Sequence, residues 1–196
     1  MGFFHLFDIL SSMIKTILGF DASSTTIGWC VLHFDDITND ISFVAADYLK
    51  PIKKGSIIER IVDTRDKINK IITLAKPDYI AIEEIVQFMK GKSTAKTIIM
   101  LTTFNRMIGL ASYDSLKKEP TMYSVMTIRH GLKENKIFPK KEDMPALVSK
   151  HLGITFPYEY NKKNKLKVEN YDKADGIAVA LCHAFVLAGK IKVKKK

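Results

Sequence analysis

Three segments of the chain carry acidic residues where a folded protein would favour apolar ones. Asp21 ends the apolar run TILGFD, and Glu83 and Glu84 interrupt the run YIAIEEIV. Asp172 and Asp175 begin an apolar helical stretch, where a spacing of three residues places both on one helical face. A carboxylate is costly to bury unless a cation or hydrogen bonds compensate its charge. The acids of these segments therefore indicate a shared cation site.

Each acidic segment also has a simpler structural interpretation. Asp21 can accept hydrogen bonds from the Ser and Thr residues that follow it, as in an Asx turn. Aspartates in the first turn of a helix can cap its free N–H groups. Strand side chains alternate between the two faces of a sheet, so only one of Glu83 and Glu84 can face a common site. The alternation of side chains does not determine whether Glu83 or Glu84 faces that site.

The net charge of the chain gives these acids a context. The sequence has 31 Lys and Arg against 21 Asp and Glu, a net charge of +10. Such a balance favours a polyanionic partner such as nucleic acid, although a lysine-rich surface that only keeps the protein in solution would give the same net charge. Mg²⁺ prefers carboxylates, waters and substrate phosphates as ligands. An acidic cluster in a basic chain therefore predicts Mg²⁺ beside a phosphodiester, and two such ions can promote its hydrolysis.

Hydrophobic periodicity predicts the elements that must position the acids. Strand-like runs with short links, typical of an antiparallel meander, lie at 17–21, 27–34 and 41–49. Helical and strand-like segments then alternate. The helices are expected at 57–74, 93–117, 143–152 and 172–188, and the further strands at 79–86 and 122–125. This order predicts an α/β fold with a mixed sheet, three antiparallel strands followed by parallel ones, and helices on the sheet faces.

The domain organisation is predicted to be simple. We expect a single domain over 13–190, preceded by an N-terminal extension over 1–12 and followed by a basic tail over 191–196. Cys30 and Cys182 have neither disulfide nor metal-ligand spacing, which favours a reducing compartment and a cytoplasmic protein. No apolar run reaches the length of a membrane span, and KGKST at 90–94 lacks the first glycine of a P-loop. We therefore expect neither a membrane nor a nucleotide cofactor among the partners.

Three stretches resemble, in order, the active-site segments of RuvC-type Holliday-junction resolvases, within the RNase H-like superfamily. They are ILGFDASSTTIGW, AIEEIVQFM and YDKADGIAVALCHA, and the resemblance covers 14–188. It implies an RNase H-like fold with helices on both faces of the sheet. It also implies a bacterial or phage enzyme that cuts four-way DNA junctions by paired nicks, working as a homodimer packed through the helix at 93–117.

The resemblance also assigns candidate residues. It places the catalytic and metal-binding acids at Asp21, Glu83, Asp172 and Asp175, selecting Glu83 over Glu84, with two Mg²⁺ ions that Mn²⁺ is expected to replace. It suggests that Phe88 acts as an aromatic wedge in the junction. This sequence departs from the family pattern at Ser23, where the family often has glycine. The lysines expected to contact DNA are Lys92, Lys140, Lys141, Lys162, Lys163, Lys165 and Lys167.

Two other functions stay open at this point. An RNase H-like nuclease could act on another nucleic acid, such as flap DNA or pre-ribosomal RNA, because basic segments serve any phosphate backbone. Alternatively, the chain could bind junctions without cutting them. The presence of all four acids favours an enzyme over the second alternative.

Overall fold

The computed structural model describes residues 14–85, 94–134 and 137–192. Within these residues the strands are β1 (Ile14–Ala22), β2 (Ile27–Asp35), β3 (Ile41–Leu49), β4 (Tyr79–Glu84) and β5 (Thr121–Ser124). The α-helices of the same residues are α1 (Ile57–Ala75), α2 (Ala95–Leu116), α3 (Val125–Leu132), α4 (Met144–Leu152) and α5 (Glu169–Leu187). A short 3₁₀ helix, Lys141–Asp143, precedes α4.

The strands form one mixed sheet in the order β3-β2-β1-β4-β5. β1 pairs antiparallel with β2, and β2 pairs antiparallel with β3. β4 pairs parallel with β1, and β5 pairs parallel with β4. The predicted mixed sheet, with a meander followed by parallel strands, is confirmed. None of the described helices is both long and apolar enough to cross a membrane.

Helices cover both faces of the sheet, and alternation along β1 shows how. Ile17 packs with residues of α3, α4 and α5. Leu18, the next residue, packs on the opposite face with residues of α1 and α2. Both side chains are fully buried. Because successive strand residues point to opposite faces, the short apolar run of β1 supplies both halves of the core.

The structure differs from the sequence prediction at two helices, one of which was not predicted and one of which begins earlier than predicted. The helix α3 follows β5 directly and was missed, because its eight residues are too few to show a clear period. Ser124 caps α3, its Oγ accepting a hydrogen bond from the Thr127 N–H at 3.1 Å. The last helix begins at Glu169 instead of residue 172, and its N-cap residue, Val168, gives no side-chain signal.

Helix α5 lies unusually close to β1 and β2. A Cβ atom added to Gly28 would lie 1.8 Å from the carbonyl oxygen of Asp172, and one added to Gly176 would lie 2.6 Å from the Trp29 nitrogen. Either distance is far below ordinary van der Waals contact. The backbones of helix and sheet therefore touch directly, and glycine is required at both positions.

The close approach gives a stability prediction. We expect Gly176→Ala to lower the free energy of unfolding by roughly 2 kcal/mol, because the methyl group would force α5 away from β2. The matched control is Gly109→Ala in helix α2, where an added Cβ has no atom within 4 Å. Alanine should stabilise that helix by up to about 1 kcal/mol. Thermal unfolding measures both, and equal stability of the two variants would contradict the close packing.

Candidate metal centre

Asp21 and Glu83 are brought together by the parallel pairing of β1 and β4. The register pairs Gly19 with Ala81 and Phe20 with Ile82, so Asp21 and Glu83 follow at the carboxyl ends of neighbouring strands. Ile82 points to the α1 and α2 side of the sheet, and Ala81 points to the α5 side. Alternation then places Glu83 on the α5 side. The structure thus distinguishes Glu83 from Glu84.

Helix α5 adds the other two acids. Asp172 and Asp175 lie beyond its N-cap residue, Val168, so they are not the N-cap that sequence alone allowed. Carboxylate oxygens of Asp21, Asp172 and Asp175 all lie within 4.8 Å of one another. Glu83 lines a cavity of about 230 Å³ together with Asp21 and Asp175. The four predicted acids therefore meet at one place.

The turn after Asp21 is closed by Ser23. The Ser23 Oγ accepts a hydrogen bond from the Thr26 N–H at 2.9 Å and donates one to the Thr26 carbonyl at 2.6 Å. This side chain therefore organises the β1–β2 turn, which accounts for a serine where the resembling family often has glycine.

Two basic side chains line the same cavity. The Lys141 Nζ lies 2.9 Å from Asp172 Oδ1 and 3.3 Å from Asp175 Oδ2. Arg129, on helix α3, also lines the cavity. Lys141 was expected to contact DNA, and here its amine sits among the acids. Arg129 was not identified from the sequence, because the helix that carries it was itself missed.

The pKa values of the acids reflect their burial and the charges of their neighbours. Burial, reinforced by the charge of Asp175, raises the pKa of Glu83 to about 7. Burial also raises the pKa of Asp175 to about 6, although Lys141 opposes the shift. The pKa of Asp21 is raised well above its ordinary value, by burial first and then by Glu83. Burial disfavours the ammonium of Lys141, yet Asp175 and Asp172 outweigh it and raise the pKa of Lys141.

The donor set fits a hard divalent cation. All four acids offer carboxylate oxygens, the ligand type that Mg²⁺ and Mn²⁺ prefer over the imidazole and thiolate groups that suit zinc. Burial, reinforced by repulsion among the acids, raises the pKa of the Asp21, Glu83 and Asp175 carboxyls, and a bound cation would favour their ionised forms. The backbone of Glu83 is held in place by Asn105, whose Nδ2 donates a hydrogen bond to the Glu83 carbonyl at 2.8 Å.

The other residues expected to contact DNA lie in different surroundings. Lys140 is exposed beside Lys141. Lys162, Lys163 and Lys165 are exposed on a small hairpin that precedes α5. Lys167 is half-buried, and its Nζ lies 2.8 Å from Glu159 Oε2. Phe88 and Lys92 lie outside the described residues, so their assignment stays a prediction.

Comparison with known proteins finds related sequences along most of the chain. Residues 17–183 match the family described as crossover junction endodeoxyribonuclease RuvC. The protein of that name from Fusobacterium nucleatum is 25% identical over 180 residues, covering 89% of this chain and 83% of the relative. The one from a Sulfurovum species is 27% identical over 180 residues, covering 92% of this chain and 99% of the relative.

Solved structures share the fold. Thermus thermophilus RuvC in complex with a Holliday junction substrate superposes with a TM-score of 0.66 at 17% identity, covering 91% of this chain and 98% of that one. The yeast mitochondrial Holliday junction resolvase gives a TM-score of 0.60 at 16% identity, covering 93% of this chain and 84% of that one. The predicted fold class is confirmed.

The raised pKa of Glu83 predicts how stability depends on pH. Between about pH 4.5 and 7 the folded protein holds a proton on Glu83 that the unfolded chain has lost, so the metal-free protein loses stability as pH rises. We expect Glu83→Gln in EDTA at pH 8.5 to be more stable than the natural protein by roughly 2 kcal/mol. The gain should vanish by pH 4.5.

Thermal unfolding across pH is the measurement. The matched control is Glu84→Gln, the neighbouring residue of the same strand, which should not reproduce this pH dependence. A Glu83→Gln protein that is no more stable than the natural one at pH 8.5 would show that burial and the charge of Asp175 do not raise the pKa of Glu83.

Proposed function

The chain belongs to the crossover junction endodeoxyribonuclease RuvC family, and from this premise we propose that it is a metal-dependent endonuclease that cuts four-way DNA junctions by paired nicks. The observation that carries the proposal is the convergence of four acids from β1, β4 and α5: Asp21, Glu83 and Asp175 line one cavity, and a carboxylate oxygen of Asp172 lies within 4.8 Å of those of Asp21 and Asp175. Their order and spacing in the sequence resemble those of the family's active-site segments. The fold shared with RuvC in complex with a Holliday junction substrate supports the same conclusion.

We assign the catalytic roles as follows. Asp21, Glu83, Asp172 and Asp175 would hold two Mg²⁺ ions, which supply an activated water and a stabilised leaving oxygen when bound. Lys141 is already within reach of Asp172 and Asp175. When a bound cation takes its place beside these carboxylates, the ammonium group can pair with the phosphate of the substrate, because an ordinary lysine stays charged at neutral pH. Arg129 on the cavity wall can bind a second phosphate oxygen.

The basic surface would position the DNA. Lys140, Lys162, Lys163 and Lys165 are exposed and can pair with backbone phosphates, which orient a duplex without reading its sequence. Lys167 is the weaker candidate because Glu159 already compensates its charge. The wedge role of Phe88 and the phosphate contact of Lys92 stay predictions. Cytoplasmic localisation also stays a prediction, supported by two buried free thiols, Cys30 and Cys182.

A homodimer packed through α2 is the second part of the proposal. Ile108 is buried in the core of one chain, and Leu116 packs against that core and is partly buried. Ile99, Leu110 and Tyr113 instead leave large apolar surfaces exposed. Spacings of eleven and three residues place these side chains on one helical stripe. This stripe is the surface that we assign to the partner copy.

The nuclease proposal predicts a specific cleavage pattern. With Mg²⁺ the protein should nick a synthetic four-way junction in pairs and leave a linear duplex of the same sequence intact. EDTA should abolish the cleavage, and Asp175→Asn should slow it by more than about 100-fold, since even residues that only orient metal ligands contribute roughly 10- to 100-fold. Labelled strands separated on denaturing gels give the measurement.

The matched control is Asp66→Asn, which removes an exposed carboxylate of α1 that pairs with Arg65 at the surface. It should cut like the natural protein. Junction binding without cleavage in Mg²⁺ or Mn²⁺ would leave a binding protein. Preferential cutting of flap DNA or structured RNA would keep the nuclease and replace its substrate.

The dimer proposal has its own test. Leu110→Glu should convert the dimer to a monomer, because a carboxylate at the centre of an apolar interface loses its hydration without gaining a partner. Leu74→Glu is the control, since Leu74 is an equally large apolar residue exposed on α1. Light scattering coupled to size-exclusion chromatography measures the mass. A natural protein that is monomeric at all concentrations would refute this part of the proposal.

A further inference from the structure

A small hairpin over 157–168, here called the basic hairpin, connects α4 to α5. Tyr160 bridges Leu166 in antiparallel fashion. The Asn161 N–H donates to the Lys165 carbonyl at 2.8 Å, and the Lys167 N–H donates to the Glu159 carbonyl at 3.0 Å. At the tip, Asn161 Oδ1 accepts hydrogen bonds from the backbone N–H groups of residues 163 and 165. The hairpin therefore has a defined backbone conformation.

Buried polar groups fix the base of the hairpin. The Lys173 side chain is only 4% exposed, and its Nζ lies 2.8 Å from Glu159 Oε1. Lys167 Nζ lies 2.8 Å from the other oxygen of Glu159, which also accepts a hydrogen bond from the Tyr48 hydroxyl. Asn170, fully buried, bonds both the backbone N–H and the carbonyl of Glu159. One face of the hairpin is thus anchored to β3 and α5.

The opposite face of the hairpin is apolar and exposed. Tyr160 and Leu166 are directly paired, so their side chains project from the same face of the hairpin. Tyr158 and Val168 lie two residues further along the chain on either side, and the four side chains are 42% (Tyr158), 54% (Tyr160), 38% (Leu166) and 70% (Val168) exposed. Glu159 and Lys167 lie on the anchored face. An apolar group of this kind, held rigidly in solvent, is typical of a binding surface.

The charge around this face selects one kind of partner. Lys162, Lys163 and Lys165 are exposed at the tip. Glu159 is the one acid between residues 157 and 168, and two lysines already compensate its charge. Cations next to exposed aromatic rings match single-stranded nucleic acid, whose phosphates pair with lysine and whose bases stack on the rings. A partner without both anions and flat apolar groups would use only half of this surface.

We propose that the basic hairpin binds unpaired nucleotides at the branch of the DNA substrate, with bases stacked on Tyr160 and Tyr158 and phosphates paired with the tip lysines. The inference rests on the proposed function for the identity of the DNA. The hairpin leads directly into α5, and Asp172 lies three residues after the start of that helix, about 4.5 Å along its axis. Nucleotides held by the hairpin would therefore flank the strand at the acids.

The test measures binding of an oligo(dT) strand carrying the fluorescent base 2-aminopurine. Tyr160→Leu should weaken binding roughly 5- to 100-fold, since a leucine cannot stack as a flat ring does. Tyr160→Phe should bind within about twofold of the natural protein, because it keeps the ring. Lys163→Ala should instead reduce the dependence of the affinity on salt. Because Tyr160 is half exposed, unchanged thermal unfolding should verify that the variants fold.

Leu74→Ala is the control, since it removes exposed apolar surface from α1, outside the hairpin and outside the surface assigned to the partner copy. Unchanged oligo(dT) affinity and fluorescence in Tyr160→Leu would overturn the inference, and so would a change in mass by light scattering without a change in DNA affinity. If the natural protein cuts junctions while the hairpin variants bind oligo(dT) normally, the proposed function stands and the hairpin inference fails. If the hairpin variants lose oligo(dT) affinity as expected but the natural protein cuts no junction, the hairpin inference stands and the proposed function fails.

Discussion

The contact between the backbone of α5 and Gly28 of β2 is the constraint on which the site depends. Gly28 is paired with Asp21 across the two strands, and the carbonyl of Asp172 lies where a Gly28 side chain would be. Any side chain at Gly28 or Gly176 would move the helix outward by the thickness of a methyl group or more. The carboxylates of α5 would then lie further from Asp21 than the 4.8 Å within which their oxygens are now found. Two absent side chains thus set the distance between the acids.

This closeness has an electrostatic cost that the rest of the cavity partly offsets. Burial and mutual repulsion raise the carboxyl pKa values of Asp21, Glu83 and Asp175. Lys141 supplies a positive charge to Asp172 and Asp175 from a separate segment. Because a lysine can leave while the backbone positions of the acids cannot change, the arrangement favours an exchangeable cation over a permanent ion pair. A cluster optimised for stability alone would have neutral residues here.

Much of this arrangement could be predicted from the sequence, and the rest has identifiable physical reasons for being missed. The acids were visible because each one breaks an apolar pattern. Alternation alone could not choose between Glu83 and Glu84; the resemblance to the family selected Glu83, and the structure gives the physical reason, because Ala81 faces α5. Arg129 was missed because eight residues of α3 are too short for a periodic signal. The contact of Lys141 with the acids joins residues 31 positions apart, a tertiary relation that no local pattern encodes.

The lysines before α5 show the same limit of local reasoning. The sequence predicts the same DNA-binding role for Lys162, Lys163, Lys165 and Lys167, yet Lys167, together with Lys173, compensates the charge of Glu159. This division has a consequence for the site, because Lys173 directly follows Asp172. One turn of α5 therefore anchors the hairpin through its lysine and contributes an acid to the cavity through the residue before it. The position of the hairpin and the position of the acid therefore depend on the same few backbone atoms of α5.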